Sequence, residues 1–161
     1  MRSVDGVNTK ISGDCYDVGM DEWYEKGLRF TCTQCGNCCT GPPGAVWFTK
    51  TEGKAMAKQL EISVESFYLQ YARKLGNKWS LTERVVQGKY DCVFLDRSTE
   101  KPSCSLYEGR PMQCRTWPFW PEILQSKASW ERTKQQTPCP GMGNGNLVPI
   151  ESIRIQRDSK S

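Results

Sequence analysis

The sequence predicts one small α+β domain that is rich in loops and contains a short antiparallel hairpin and several short helices. Three observations support this prediction. The chain has 161 residues, which is enough for one hydrophobic core but not for two independent ones. Short apolar segments alternate with turn residues instead of forming long periodic runs. Four cysteines fall within residues 32–39, so something besides aliphatic packing is expected to stabilise the fold.

Cysteine and histidine counts restrict the chemistry most. The chain contains 9 Cys and 0 His, which excludes Cys2His2 fingers, histidine-based catalytic zinc, Cys–His nucleophile pairs and Rieske-type centres. Any metal site must therefore be dominated by thiolates, with Asp and Glu as the other anionic ligands. Soft thiolate ligands select zinc, copper(I) or iron–sulfur clusters.

A secreted disulfide scaffold is the alternative explanation for so many cysteines. Such a chain normally begins with a signal peptide, but residues 1–29 contain no apolar run. The adjacent pair Cys38 and Cys39 and the odd cysteine total also fit a disulfide framework poorly. We therefore predict a reduced, cytoplasmic, metal-binding chain.

Charge and hydropathy exclude several partners. No stretch approaches the roughly 18–20 apolar residues needed to span a bilayer, so no membrane association is expected. The net charge of +4 is mild, and there is no basic run or recognisable nucleic-acid module, so nucleic acid is not an expected partner. A protein partner is left open.

The chain divides into three predicted parts. Residues 1–29 are polar and acidic and form an N-terminal extension, which contains the isolated Cys15. A lone cysteine of this kind is expected to carry no ligand. Residues 30–146 form the cysteine-cluster domain, and residues 147–161 form a C-terminal helix and tail.

Local signals place the first elements. Residues 45–48 are a short apolar run and a predicted strand. Thr49 or Thr51 is predicted to cap one helix, and Ser63 a second. Residues 79–86 and 90–95 are predicted to be the two strands of the hairpin, which turns at residues 87–89.

Proline and glycine organise the rest of the chain. Pro121 is predicted to begin a helix that runs through Ile123 and Leu124 towards Trp130, and Pro149 a last helix. Residues 138–145 are rich in proline and glycine and are expected to be an irregular loop.

Spacing within the cysteine-rich segment indicates metal ligation. Cys32, Cys35 and Cys38 are each three residues apart, which lets their thiolates converge on one point, as in metal knuckles and ferredoxin-type runs. Cys39 directly follows Cys38, so its side chain is expected to point elsewhere unless the backbone bends sharply. It is expected to reach a second metal, bridge two metals or act as a redox thiol.

The other cysteines are scattered through the chain. Cys92, Cys104, Cys114 and Cys139 stand at predicted turns or strand ends. The last three are flanked by Pro, Ser, Gln and Arg and not by aliphatic residues. This context favours ligation over simple packing, and closing the long intervening loops would couple metal binding to folding.

Residues near these cysteines are predicted to support the site. Arg115 is expected to donate to a ligand sulfur or a substrate anion, with pairing to Glu108 or Glu122 as the alternative. The aromatic residues Trp117, Phe119 and Trp120 either shield the centre from solvent or belong to the core.

Together these segments resemble a known family. The features that carry the resemblance are Cys-x2-Cys-x2-Cys-Cys at residues 32–39, Cys92-Val93-Phe94-Leu95, Cys104-Ser105-Leu106-Tyr107, Arg110-Pro111, Cys114-Arg115-Thr116-Trp117-Pro118 and Cys139-Pro140-Gly141. This pattern over residues 30–146 resembles the YkgJ-like cysteine-cluster family, described as a zinc- or iron-chelating domain. The resemblance implies a small metal-binding domain and a link to flagellin lysine-N-methylases, which contain a similar cluster.

The resemblance also implies a ligand set. The implied ligands are Cys32, Cys35, Cys38, Cys39, Cys92, Cys104, Cys114 and Cys139. They could form one four-cysteine cluster with spare thiols, two tetrahedral sites or a multinuclear centre.

We therefore predict a protein that holds an iron–sulfur cluster, in preference to zinc, through clustered thiolates, with redox or metal-dependent activity left open. The alternatives are a structural-zinc module that binds a protein or RNA partner, and a metal carrier.

Overall fold

A computed structural model describes residues 22–159 of the chain. The helices are α1 Lys50–Gln59, α2 Val64–Tyr71, α3 Met112–Arg115, α4 Pro121–Leu124, α5 Lys127–Gln136 and α6 Ile150–Asp158. The strands are β1 Leu28–Phe30, β2 Thr40–Gly41, β3 Trp47–Phe48, β4 Ala72–Leu75, β5 Lys78–Leu81, β6 Glu83–Val86, β7 Lys89–Cys92, β8 Leu95–Asp96, β9 Ser103–Cys104 and β10 Met142–Val148. Short helices and short antiparallel strands occur in separate runs along one chain, which confirms the predicted α+β class.

Small antiparallel sheets bring distant segments together. The strand orders are β1-β10, β2-β7-β6, β3-β5-β4 and β8-β9. Strand β2 directly follows the cysteine-rich segment, and its Thr40 lies opposite Asp91 of β7. In the next pair, Leu95 of β8 lies opposite Cys104 of β9. Pairing of these strands therefore places Cys39, Cys92 and Cys104 in one region.

The predicted helix starts are confirmed. Thr49 Oγ1 accepts the backbone N–H of Glu52 at 3.2 Å, and the Glu52 carboxylate accepts the backbone N–H of Thr49 at 2.7 Å. This reciprocal pair is a capping box, so Thr49 and not Thr51 begins α1. Ser63 Oγ accepts the backbone N–H of Ser66 at 3.0 Å and begins α2. Pro149 stands at the N-cap of α6.

The predicted hairpin is correct only at its centre. Strands β6 and β7 pair across residues 83–92, but residues 79–86 are not one strand. Strand β5 ends at Leu81 and pairs with β3 and with β4, which was not predicted. Thr82 interrupts the run because its backbone N–H donates to the carbonyl of Tyr71 at 2.9 Å. Residues 90–95 are likewise divided between β7 and β8.

Two further expectations are wrong. Residues 138–145 are not wholly irregular, because β10 begins at Met142 and pairs with β1. Gly143 and Gly145 of β10 have φ of 80° and 82°, which allows a β-bulge within the strand. From composition alone, these glycines predicted a loop. The helix begun by Pro121 ends at Leu124, since Ser126 Oγ accepts the backbone N–H of Ser129 at 3.1 Å and caps a separate helix, α5.

The hydrophobic residues of the described chain form two clusters. The first contains Phe119, Trp130, Met142 and Ile153, among others, and Cys35 packs against it with Cys139 inside it. The second is built around Phe48, Met56, Phe67 and Leu106 and includes Cys92, with Cys39 and Cys104 packed against it. Cysteines therefore lie in or against both clusters. Within residues 22–159, none of the helices combines the length and apolar character that crossing a bilayer requires.

An ion-pair network links the start of the described chain to α6. The Glu22 carboxylate accepts hydrogen bonds from Arg154 Nε at 2.8 Å and from Arg157 Nη1. Tyr24 Oη joins the network by donating to Glu22 at 3.0 Å. Partial burial raises the pKa of Glu22, but the hydrogen bonds from Arg154 and Arg157 outweigh it and leave the pKa below its usual value.

We expect Glu22→Gln to lower the free energy of unfolding by about 1 kcal/mol at pH 7, since partly exposed ion pairs contribute little individually. The Glu22 pKa is lowered in the folded state. Its contribution is therefore present above the unfolded-state pKa of about 4.3 and is lost as pH falls through the folded-state value. Urea unfolding of the wild type and the variant should show a difference at pH 7 that vanishes near pH 2. Glu25→Gln, at an exposed position of the same turn, is the control. An equal difference at both pH values would contradict this account.

Candidate metal centre

All the cysteines of the described chain line one cavity of about 50 Å³. They are Cys32, Cys35, Cys38, Cys39, Cys92, Cys104, Cys114 and Cys139, and all are free thiols. Cys32 and Cys38 are exposed, whereas Cys92 and Cys139 are buried. The cavity therefore leads from solvent into the protein. Every cysteine predicted as a ligand contributes to its wall, and Cys15 lies outside the described residues.

Gly36 turns the cysteine-rich segment towards the cavity. Its φ of 72° is in the left-handed region, and a Cβ at this position would lie 2.8 Å from Leu95 Cδ1. A short 3-10 turn, Asn37–Cys39, follows directly. Asn37 Nδ2 donates to the carbonyl of Pro138 at 2.6 Å. This hydrogen bond ties the segment to the loop that carries Cys139.

The side chains of Cys38 and Cys39 point to the same place. Their sulfur atoms lie 3.9 Å apart, because the 3-10 turn supplies the sharp bend that the sequence did not reveal. The sequence allowed Cys39 to point the same way as Cys38 only if the backbone bends sharply, and the 3-10 turn meets this condition. Tetrahedral ligation with Zn–S bonds of about 2.3 Å separates neighbouring sulfurs by about 3.8 Å. The two adjacent thiols can thus share one ion.

Separate elements deliver the remaining cysteines. Cys92 ends β7, and Cys104 ends β9. Cys114 lies on α3, whose first residue, Met112, donates its backbone N–H to the Glu52 carboxylate of α1 at 2.6 Å. Cys139 precedes β10 and accepts the backbone N–H of Met142 at 3.1 Å through its carbonyl. Backbone contacts fix each position, so the cavity is a product of the fold.

Burial and mutual repulsion favour neutral thiols in the deep part of the cavity. Burial raises the pKa of Cys92 to about 11, and it also raises the pKa of Cys104, Cys114 and Cys139. Negative charge on Cys38 raises the pKa of all four further, so Cys38 is electrostatically coupled to each of them. A bound cation would remove this repulsion, and the cavity therefore favours a cation.

Cys38 itself is favoured as the thiolate. Its hydrogen bond with Cys39 lowers the pKa of Cys38 and raises the pKa of Cys39. The positive charge of Arg110 lowers the pKa of Cys38 as well. A thiolate is the form that binds metal, so Cys38 is the first thiol expected to act as a ligand.

The guanidinium on the cavity wall belongs to Arg110. It lies 3.6 Å from the centre of the Tyr107 ring, and its Nε donates to the Tyr107 carbonyl at 2.8 Å. A hydrogen bond with Cys32, together with burial, raises the pKa of the Tyr107 phenol. Arg110 and Tyr107 were expected only as parts of the motifs that carry the family resemblance, since no local pattern in the sequence assigns either residue to the site.

The predicted donation from Arg115 to a ligand sulfur is not found among residues 22–159. Arg115 acts instead on Glu52. Burial raises the pKa of the Glu52 carboxyl, but the hydrogen bonds from the backbone N–H groups of Thr49 and Met112 together lower it by a larger amount. The positive charge of Arg115 lowers this pKa further.

The aromatic residues near Arg115 have two different roles. Trp117 lines the cavity, while Phe119 is buried in the first hydrophobic cluster.

The donor set fits a soft metal ion or cluster. Thiols surround the space, and two buried polar atoms of its wall, Thr33 Oγ1 and Trp117 Nε1, have no hydrogen-bond partner in the described chain. As the side chains stand, no three or more Cys, Asp or Glu residues among 22–159 are arranged to hold an ion directly. The sulfurs ring a space and do not meet at a point. Rotation of cysteine χ1 between staggered rotamers redirects a sulfur without backbone movement, so the backbone arrangement permits ligation.

A comparison with protein families supports the same chemistry. The CxxCxxCC family, described as "Putative zinc- or iron-chelating domain", matches residues 31–140. The chain belongs to this family. The CxxCxxCC match begins one residue before Cys32 and ends one residue after Cys139, so it includes every cysteine of the cavity. Membership supports chelation of zinc or iron by these cysteines. No solved structure matches the chain.

Proposed function

We propose that the cysteine cavity binds a thiolate-ligated centre of more than one metal ion, an iron–sulfur cluster in preference to zinc. The observation that carries this proposal is the meeting of all the described cysteines on one cavity wall. One tetrahedral ion uses four thiolates. More than four thiols surround this cavity, so they exceed the number that one tetrahedral ion uses. All of them line the same space, and no described helix or strand divides them into two separate sites.

Cys38 has the central place in the proposed centre. Its sulfur lies 3.9 Å from that of Cys39, and its charge acts on Cys92, Cys104, Cys114 and Cys139. A thiolate with this many thiol neighbours is suited to bridge two ions. We propose the full set as ligands: Cys32, Cys35, Cys38, Cys39, Cys92, Cys104, Cys114 and Cys139.

Open space between the thiols favours iron–sulfur over zinc. The cavity of about 50 Å³ has room for several atoms, since one water needs only about 10–15 Å³ on this measure. Inorganic sulfide between iron ions would occupy such a space and place the irons near the peripheral thiolates. When bound, such a cluster supplies electron transfer or Lewis acidity. Free thiols at this density also favour a reducing compartment, so we extend the proposal to the cytoplasm.

Zinc is the second candidate, because the separation of the Cys38 and Cys39 sulfurs matches an edge of a zinc tetrahedron. In that case the chain would be a structural-zinc module for a protein or RNA partner, or a metal carrier.

Anaerobic purification followed by metal analysis, acid-labile sulfide analysis and absorption spectroscopy distinguishes the two candidates. We expect iron and sulfide in comparable amounts and a broad visible absorption that a strong reductant bleaches. A colourless protein with stoichiometric zinc and no sulfide would replace the first candidate with the second. Protein that contains neither metal, and that takes up neither under reducing conditions, would contradict both.

A further inference from the structure

Two hydrogen-bond donors on the cavity wall have no acceptor in the described chain. The indole N–H of Trp117 and the hydroxyl of Thr33 are both buried, and both residues line the cavity. A buried donor without an acceptor loses its hydrogen bonds to water and gains none in the protein, which destabilises the folded state. Buried polar groups of native proteins are paired with very few exceptions, so each of these two requires an explanation.

Comparable groups nearby are satisfied by the protein itself. Trp120 Nε1 donates to the carbonyl of Gln113 at 3.0 Å, and Trp23 Nε1 donates to the carbonyl of Leu124 at 2.7 Å. Thr116 Oγ1 donates to the carbonyl of Met112 at 3.0 Å. Two other buried side-chain atoms of the described chain, Thr40 Oγ1 and Arg73 Nε, also have no partner, but neither residue lines the cavity.

We propose that Trp117 and Thr33 donate hydrogen bonds to sulfur atoms of the bound centre, either thiolate or inorganic sulfide. The inference rests on the proposed function, because it needs a negatively charged acceptor in the cavity. Thiolates and sulfides are the acceptors that this donor set would supply. Arg110 lines the same cavity and adds a positive charge.

The expected effect follows from electrostatics. A hydrogen bond to a metal-bound sulfur withdraws electron density, which stabilises the more negative state of the centre and raises its reduction potential. It also lowers the energy of the sulfur lone pairs, so sulfur-to-metal charge transfer requires more energy. Removal of either donor should therefore lower the potential and shift the charge-transfer band to lower energy.

An edge-on contact between two tryptophans offers a competing account of the indole. The rings of Trp117 and Trp120 lie 4.9 Å apart at an interplanar angle of 83°, a geometry in which an N–H group can point at an aromatic face. In that case Trp117 would need no acceptor in the cavity, and its replacement by phenylalanine would leave the spectrum of the metal centre unchanged.

Variants that remove one donor at a time test the inference. Trp117→Phe and Thr33→Val remove the unpaired donors, while Trp120→Phe and Thr116→Val make the same changes where a backbone carbonyl accepts the hydrogen bond. The full-length proteins are loaded with Co(II) and, separately, isolated with their native metal. The measurements are metal content, the energy of the sulfur-to-cobalt absorption band, the reduction potential of any iron form, and metal affinity by chelator competition.

We expect Trp117→Phe and Thr33→Val to load metal, to absorb at lower energy and to bind metal about 10–100-fold more weakly, as is typical for loss of an outer-shell partner. Both controls should match the wild type. Identical band energies and affinities in Thr33→Val, Trp117→Phe and the wild type would overturn the inference while leaving the proposed function intact. Equal shifts in Trp120→Phe and Trp117→Phe would also overturn it. If Trp117→Phe does not fold, Thr33→Val decides. Wild-type protein that loads no metal would overturn the proposed function and the inference with it.

Discussion

Cys38→Ser is expected to weaken metal binding by more than about 100-fold, because loss of an outer-shell partner alone typically costs 10–100-fold. Among the described thiols, Cys38 is the one most favoured as a metal ligand. Its sulfur lies 3.9 Å from that of Cys39, and its pKa is lowered by Cys39 and by Arg110. Serine has nearly the same shape but a hard, protonated oxygen that soft metals bind poorly. Metal content after anaerobic purification and chelator competition measure the loss.

Cys15→Ser is the matched control, since it removes one thiol outside the family match at residues 31–140. It should retain full metal content. Cys35→Ser should behave like Cys38→Ser, because Cys35 lines the same cavity beside Cys139. Normal metal content in both the Cys35 and Cys38 variants would show that the cavity is not the metal site.

Removal of the metal is expected to lower the melting temperature by about 8–16 °C. A ligand present at about 1,000 times its dissociation constant stabilises the folded state by about 4 kcal/mol. For a chain of this size, each kcal/mol corresponds to about 2–4 °C. The large effect is expected because the cavity cysteines come from β7, β9, α3 and two loops. A metal centre held by these cysteines would add a crosslink between segments that strand pairing and packing already bring together.

Hydrogen exchange should show where the stability is lost. The amides of residues 32–39 and 112–115 should lose protection first, whereas α1 and α2 pack through their own Met56 and Phe67 into the second hydrophobic cluster and should keep theirs. Calorimetry of metal-loaded and chelator-treated protein gives the shift, with Cys15→Ser treated in the same way. An unchanged melting temperature, after analysis proves that the metal has been removed, would mean that the centre does not contribute to folding.

Local sequence signals predicted the parts of the fold that depend on neighbouring residues. Thr49 and Ser63 begin α1 and α2 because a cap needs only a side-chain oxygen and the backbone N–H three residues later. Turn residues 87–88 likewise join β6 to β7. Local sequence signals of this kind did not predict strands whose pairing partner is far away in the chain. Strand β10 forms because β1 lies beside it, and composition predicted only a loop there.

The same division applies to the site. The counts of 9 Cys and 0 His determined by themselves that any metal site must be dominated by thiolates, because ligand chemistry depends on residue type and not on position. Only the tertiary structure decided that the cysteines share one cavity, that Cys38 and Cys39 converge, and that Arg110 and not Arg115 lies on the wall. These outcomes depend on strand pairing and on the turn at Gly36. Spacing along the chain does not specify which distant residues come into contact. Closing a long loop costs conformational entropy, and only the tertiary contacts that form can offset this cost.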